Sequence, residues 1–383
     1  MNAEPAATER PPVRVLCVTP VGPDGMGGID RLYFYMREHL AAKGGRRVDI
    51  RYFAARGPGG GARWALMFPL RALAFVFVLL RFQPDVVHIN HSTHGSAFRK
   101  WVLASLARML GRTVTTHFHG LVSAEDFARN PLWLRWFRAL CALSERIVIL
   151  GDFFAEDFRR RFAVDPAKLV VIPNGIPDFA ADLAIPKLDD GDPLILFAGE
   201  VGPRKGAGLL LEALAMLRQK TPRWRCVIAG NGDIPEYRQM ASMLGLKARV
   251  TFTGWVGSDE VHDLMRAADI VVLPSRIEAL PLSLIEGACA GAALVASNAG
   301  ASGEVAINGR NGIVVPLYSE AIAEAMARLL LDPAELARMQ VASRALFVER
   351  FRIEQFEARL TAFFIDMAQG ERMTAAGQAM TSV

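Results

Sequence analysis

Cysteine is scarce in this 383-residue chain, with only Cys17, Cys141, Cys226 and Cys289, and no two of them share a paired spacing. The scatter speaks against a disulfide framework or a cysteine zinc site and predicts reduced, mostly buried thiols of a cytosolic protein. Charged residues make up 22% and hydrophobic ones 52%, a balance that excludes a disordered chain and fits a folded α/β protein. The opening from Met1 to Pro12 is polar and proline-rich and lacks the apolar core of a secretory signal. Long apolar runs are missing too. Trp64 to Leu80, WALMFPLRALAFVFVLL, is 17 residues broken by Pro69 and Arg71, short for a spanning helix, and reads as a buried or partly interfacial one. Zinc-finger, ribonucleoprotein and basic-zipper patterns are absent and the arginines are dispersed, so no nucleic-acid partner is expected.

A chain of this length exceeds one comfortable core and predicts two domains. Residues 1–180 carry 24 Lys and Arg against 15 Asp and Glu, whereas the remainder carries 20 against 24. The basic half suits an anionic membrane surface or an acidic acceptor, although scattered solvated arginines give the same count. A strand at Val13 to Thr19, a glycine-rich loop PVGPDGMGGID and a helix open a doubly wound unit. Strands at RRVDIRYFA, PDVVHIN, TVTTHFHG, RIVIL and LVVIPNGI alternate with helices after it, which predicts a parallel sheet covered on both faces. The alternation restarts at PLILFAGE beyond a Pro- and Asp-rich linker. The expected division is a Rossmann-like domain over 13–176, with a helix at 352–368 as a candidate to join it, a linker at 177–193, a second Rossmann-like domain over 194–351, and a flexible tail at 370–383. Two such domains predict a deep cleft, where a ligand site is sought.

The most informative stretch is PSRIEALPLSLIEGACAGAALVASNAGASGEV from Pro274 to Val305. It places Glu278 in a loop after a buried strand and Glu286 in the first turns of a helix. Backbone N–H groups at such a turn favour phosphate, and a carboxylate beside them accepts bonds from sugar hydroxyls, which suggests a nucleotide-sugar site. The plainer alternative makes Glu286 a helix cap and Glu278 a solvated loop charge. Gly199 to Gly206, GEVGPRKG, also lies between strand and helix, with Arg204 and Lys205 as cations for an oxygen cluster. It lacks the ending and spacing of a nucleoside-triphosphatase loop, and a basic turn is the alternative. His88, His91 and His94 surround one strand end and His117 and His119 the next; a metal site would need them to converge, and none is expected. Trp133, Arg135, Trp136 and Arg138 could rest the first domain on a bilayer or serve as ordinary packing and surface.

With these elements in order, the chain resembles the retaining glycosyltransferases of family four, which have the GT-B fold. The landmarks are GGID, PDVVHIN, THFHG, IPNGI, FAGEVGPRKG, VIAGNGD, FTGWV, EALPLSLIEGACAG, NAGASGEV and NGRNGIVVP, covering Val13 to about Phe364. The resemblance implies a metal-independent, cofactor-free enzyme that takes a UDP- or GDP-sugar as donor and a glycan or lipid-linked acceptor. It implies that Arg204 and Lys205 grip the donor diphosphate, Glu286 binds the ribose hydroxyls, and Glu278 lies close to the donor sugar. The backbone of Ala279, Leu280, Pro281 and Leu282 is implied to touch sugar and phosphate, and His119 to stand near the sugar's reacting face. Gly27 and Gly28 match the loop that approaches the diphosphate, and Asn174, Gly199 and Gly230 fall in donor-side landmarks. Two departures stand out: Glu200 occupies a position where many members have Arg, and Leu280 and Pro281 replace the more usual Phe and Gly. Two other classes compete with this reading, a nicotinamide-dependent oxidoreductase using the first unit, whose loop lacks GxGxxG spacing, and a non-catalytic sugar-binding protein on the same fold. The place expected is the cytoplasm, with the inner face of the plasma membrane as a candidate contact.

Overall fold

The computed structural model describes residues 11–21, 28–43, 47–55, 63–92, 97–120, 131–187 and 191–380. The chain divides into two compact units, one of residues 1–149, 157–172 and 357–383, the other of residues 150–156 and 173–356. The division differs from the boundaries read from composition. Residues 177–187, expected as a linker, belong to the second unit, held there by paired bonds from Arg344 to Asp178 and from Arg266 to Asp182.

The first unit is built on six parallel strands, β1 (Val13–Thr19), β2 (Val48–Ala54), β3 (Val86–His91), β4 (Thr113–Phe118), β5 (Arg146–Ile149) and β6 (Leu169–Val171), in the order β2-β1-β3-β4-β5-β6. Helices α1 (Gly28–Lys43), α2 (Arg63–Phe82), α3 (Ala97–Met109), α4 (Pro131–Leu143) and α5 (Phe153–Phe162) occur between them. Every residue of β3 and β4 is buried, as expected of central strands covered on both faces. Strand order reverses between β1 and β3, so the carboxyl ends of those strands flank the crevice in which open α/β sheets bind ligands.

The second unit has β7 (Leu194–Ala198), β8 (Arg225–Ala229), β9 (Val250–Gly254), β10 (Ile270–Leu273), β11 (Ala293–Ser297) and β12 (Gly312–Val315) in the order β12-β11-β10-β7-β8-β9. Counted from its own first strand this is 3-2-1-4-5-6, the Rossmann order, with the reversal between β7 and β10. Its helices are α6 (Ala207–Lys220), α7 (Ile234–Met243), α8 (Ser258–Ala267), α9 (Leu282–Cys289), the single turn α10 (Ser302–Val305), α11 (Ser319–Leu331) and α12 (Pro333–Arg350). The sequence reading placed neither of the last two. A final helix, α13 (Ile353–Met380), runs past Gly370 into the segment expected as a tail. Phe356, Leu360 and Phe364 of α13 are fully or almost fully buried.

Candidate active site

At the reversal point of the second unit, the loop after β7 meets the loop after β10. A single 3₁₀ turn, Pro203–Lys205, carries the two cations, and Gly206 closes it at φ 74° before α6 begins. A Cβ on Gly206 would collide with the Pro274 carbonyl, so only glycine lets the two loops approach. The Arg276 amide donates to the Arg204 carbonyl at 2.9 Å, which fixes the loops to each other. The Lys205 ammonium then donates to Glu278 Oε1 at 2.5 Å, and the Ser275 hydroxyl donates to the same oxygen at 2.6 Å. Ser275 is itself held through its carbonyl by the Ser297 hydroxyl of β11.

Glu278 is therefore no solvated loop charge: its residue is 6% exposed, and its carboxylate has both a cation and a hydroxyl as partners. Glu286 is no cap either. The cap position of α9 is Pro281, which offers no side-chain bond, and Glu286 lies in the second turn, 5% exposed. Pro281 and Leu280 are buried, and the Ala279 carbonyl accepts from the Ala301 amide at 3.0 Å. The Leu284 and Ile285 amides of α9 donate to the Pro281 carbonyl at 3.1 and 3.3 Å, so the N–H groups of Leu282 and Ser283 are those that the helix start leaves without intrahelical acceptors. Arg204 behaves differently from Lys205. It is half exposed and pairs with Glu200 at 2.7 Å, the residue at which this chain departs from the more usual Arg.

Glycines on the adjoining strand ends serve close backbone approach. Gly230 has φ 146°, and a Cβ there would strike the Gly199 carbonyl, so the ends of β7 and β8 come together only without side chains. Asn174 is buried, and its side-chain oxygen has no hydrogen-bond partner among the described residues. An unpaired buried amide oxygen costs stability and marks a place where a donor hydroxyl or N–H would be welcome. Sequence reasoning missed Ser275 and Ser297, which hold the loops, because serines in loops are too common to carry a signal alone; Gly206 enters it only as the end of the glycine-containing loop.

In the first unit, Gly28 opens α1, while Gly27 and His94 lie outside the described residues. His119 follows β4, half-buried; its Nε2 lies 2.8 Å from Asn90 Oδ1, and its backbone N–H donates to the His91 carbonyl. His88 and His91, three apart on one strand, face opposite sides of the sheet as strand geometry requires. His88 packs on Phe364 of α13 and bonds Thr115, whereas His91 stacks on Phe137 of α4. Among the described residues no three His, Cys, Asp or Glu side chains could hold a metal ion. Burial pushes His88 down to about 3 and holds His91, His117 and His119 well below the usual imidazole range, so these rings are neutral at pH 7. Behind them Lys100 of α3 is buried and donates to the Asn90 carbonyl; burial lowers its ammonium to about 7.

Two family models divide the chain between them: "Glycosyltransferase Family 4" matches residues 26–178 and "Glycosyl transferases group 1" matches residues 178–346. The second span contains Arg204, Lys205, Glu278 and Glu286. A glycogen synthase of Mycobacterium tuberculosis is 27% identical over 301 residues, covering 76% of this chain and 70% of that one. A GDP-mannose-dependent alpha-(1-6)-phosphatidylinositol monomannoside mannosyltransferase from the same species is 27% identical over 290 residues, covering 70% and 74%. Among solved structures, Anabaena HepE in complex with UDP and glucose superposes with a TM-score of 0.73 at 18% identity, over 92% of this chain and all of that one. Sucrose-phosphate synthase from Thermosynechococcus elongatus gives 0.74 at 19% identity, over 94% of this chain and all of the other. These likenesses give the GT-B fold, and a nicotinamide oxidoreductase on the first unit is set aside. From its paired family matches, its two parallel sheets and its relatives, the chain belongs to the group 1 glycosyltransferases of family four.

Proposed function

We propose that this glycosyltransferase takes a UDP- or GDP-linked sugar, transfers it to a glycan or lipid-linked acceptor with retention at the anomeric carbon, and needs no metal ion or other cofactor. The observation that carries the reading is the Lys205–Glu278 pair at the strand-order reversal of the second unit. A lysine has three N–H donors. One can stay on Glu278 while the others meet phosphate oxygens, so the carboxylate aims the ammonium without consuming it. Arg204 is the second cation; leaving Glu200 for a phosphate forfeits only an exposed ion pair, about 0.2–1 kcal/mol. The α9 N-terminus adds dipole stabilisation to the departing diphosphate.

In the reaction the bond from the anomeric carbon to the diphosphate oxygen breaks, and both electrons leave with the nucleoside diphosphate. The acceptor hydroxyl oxygen forms the new bond on the same face, through an oxocarbenium-like state, and its proton passes to the leaving phosphate. Glu286 is the acceptor for ribose hydroxyls, the backbone from Ala279 to Leu282 meets sugar and phosphate, and neutral His119 acts as a hydrogen-bonding partner of the sugar rather than a charge. HepE was solved with UDP and glucose and the mycobacterial mannosyltransferase is named as GDP-mannose-dependent, which supports a nucleotide-linked donor and keeps both bases open. Action in the cytoplasm belongs to the same proposal, supported by four buried free thiols.

The test is proton NMR of the purified protein incubated with α-linked UDP- and GDP-sugars and candidate acceptors, with and without EDTA. Expected is nucleoside diphosphate release with an α-configured product, unchanged by EDTA. A β-configured product contradicts retention, loss of turnover in EDTA contradicts metal independence, and no turnover with any donor favours the non-catalytic reading.

A further inference from the structure

Helix α2 shows water a nearly continuous apolar face. Leu66, Leu70, Leu73, Phe77 and Leu80 follow at three- and four-residue steps and are 81%, 59%, 67%, 68% and 58% exposed, with Met67 beside them. Three- and four-residue steps place side chains in one stripe along a helix. A row this long is far more than the single exposed leucines that soluble surfaces normally carry. The face does not stop at α2. Phe68 approaches Phe98 of α3, and Phe98 packs at 5.0 Å from Trp136 of α4, itself 4.6 Å from Trp101. Phe98 and Leu132 are exposed, and both tryptophans are half-exposed.

Charge on these three helices has one sign. RWALMFPLRALAFVFVLLRF, AFRKWVLASLARM and PLWLRWFRALCAL contain no Asp or Glu, and Arg81, Arg108, Arg135 and Arg138 are exposed on them. Elsewhere in the same unit helices do carry acids, Asp30 and Glu38 on α1 and Asp157 on α5. A second copy of the chain is a poor occupant, because a two-fold contact would set cations against cations with no acid on these helices to answer them. No helix among the described residues is long and apolar enough to cross a membrane, so the face can lie on a bilayer but not span it. Apolar side chains in a row, tryptophans at their edge and arginines without acids are the combination that an anionic lipid surface accommodates.

We propose that the outer face of α2, α3 and α4 docks this protein on an anionic phospholipid bilayer, with the α2 stripe entering the headgroup boundary. Trp133 has no part in this: it stacks inward on Phe137 at 5.3 Å and is 7% exposed, so of the two tryptophans on α4 only Trp136 faces outward. The proposal is independent of the donor reading, since all its residues lie in the first unit.

The experiment is flotation of the full-length protein with vesicles of phosphatidylcholine alone and of phosphatidylcholine with phosphatidylglycerol, at low and high salt. It is done for the wild type, Leu73→Glu, Phe77→Glu and Arg135→Glu, each checked for an unchanged melting temperature. The two apolar positions are two-thirds exposed, so the changes do not disturb the core. Expected is binding to the phosphatidylglycerol vesicles that weakens with salt, and a loss of affinity of roughly tenfold or more for each apolar-to-Glu variant. Failure of the wild type to float, or equal flotation of wild type and variants, overturns the proposal. So does a wild-type dimer that the Glu variants dissociate without any vesicle binding, which would assign the face to a second copy. Donor-induced stabilisation should be the same in all four proteins, which separates this result from the fate of the donor site.

Discussion

Replacing Lys205 with methionine removes a cation and strands an anion. The two side chains are 14% and 7% exposed, well inside the range where water helps little. Breaking a fully buried pair by deleting one partner costs about 3–5 kcal/mol, whereas an exposed pair is worth about 0–1. Lys205 stands at the wetter edge and Ser275 still donates to Glu278 at 2.6 Å, so the expected loss is about 2–3 kcal/mol. In a unit of this size that lowers the melting temperature by roughly 5–10 °C. Glu278→Gln keeps an acceptor for Ser275 and leaves the more exposed partner unpaired, so its cost should be smaller, about 1–2 kcal/mol. The double variant Lys205→Met/Glu278→Gln should be more stable than the two losses added together by about 1 kcal/mol or more. Differential scanning calorimetry of the four proteins reads this directly, resolving the second unit's transition. A Lys205→Met protein within about 0.5 kcal/mol of wild type, or strict additivity, would refute the claim that these residues form a buried, mutually dependent pair.

Other consequences follow from the same geometry. Glu286→Ala should raise the donor KM roughly tenfold or more, the worth of a lost charge-assisted hydrogen bond, while Glu286→Gln retains part of the binding; a donor KM unchanged in both variants removes the ribose role. Glu200→Ala frees Arg204 from an exposed ion pair and should strengthen donor binding about two- to fivefold in titration calorimetry, and weaker binding would mean that the pair itself orients the cation. Acid should unfold the first unit early: His88 titrates near 3 when folded and near 6.5 when unfolded, so below about 6.5 the unfolded chain takes up protons that the native one refuses. His91, His117 and His119 are lowered in the same direction by burial, and stability should therefore fall steadily from about pH 6.5 toward 3, by an amount on the order of several kcal/mol. A melting temperature flat between pH 7 and 5 would contradict their burial as neutral rings.

Local elements were legible because apolar runs and glycine turns alternate regularly; VRVLCVT is a strand in the sequence reading and is β1 in the structure, residue for residue. Strand order was not, since β1 pairing with both β2 and β3 depends on contacts that no local pattern encodes. The glutamates of the Pro274 to Val305 stretch could be placed on loop and helix, but their burial could not, because the partner of Glu278, Lys205, comes from 73 residues away. Histidines show the reverse difficulty. Five of them at two strand ends invited a cluster, yet a strand turns His88 and His91 to opposite faces, and both are packing residues. The apolar run from Trp64 to Leu80 reads equally well as a core helix or a surface one; only the structure turns Phe75 and Leu79 inward and Leu73 and Phe77 to water.

The proposed function stands on a nucleotide-sugar donor held by Lys205 in the second unit. The most direct measurement is a thermal-shift titration of wild type and Lys205→Ala with UDP-sugars, GDP-sugars and NAD. One class of nucleotide sugar should raise the wild-type melting temperature, NAD should not, and the variant should respond to neither. Equal stabilisation of wild type and variant by the same sugar nucleotide, or a response to NAD alone, would contradict it.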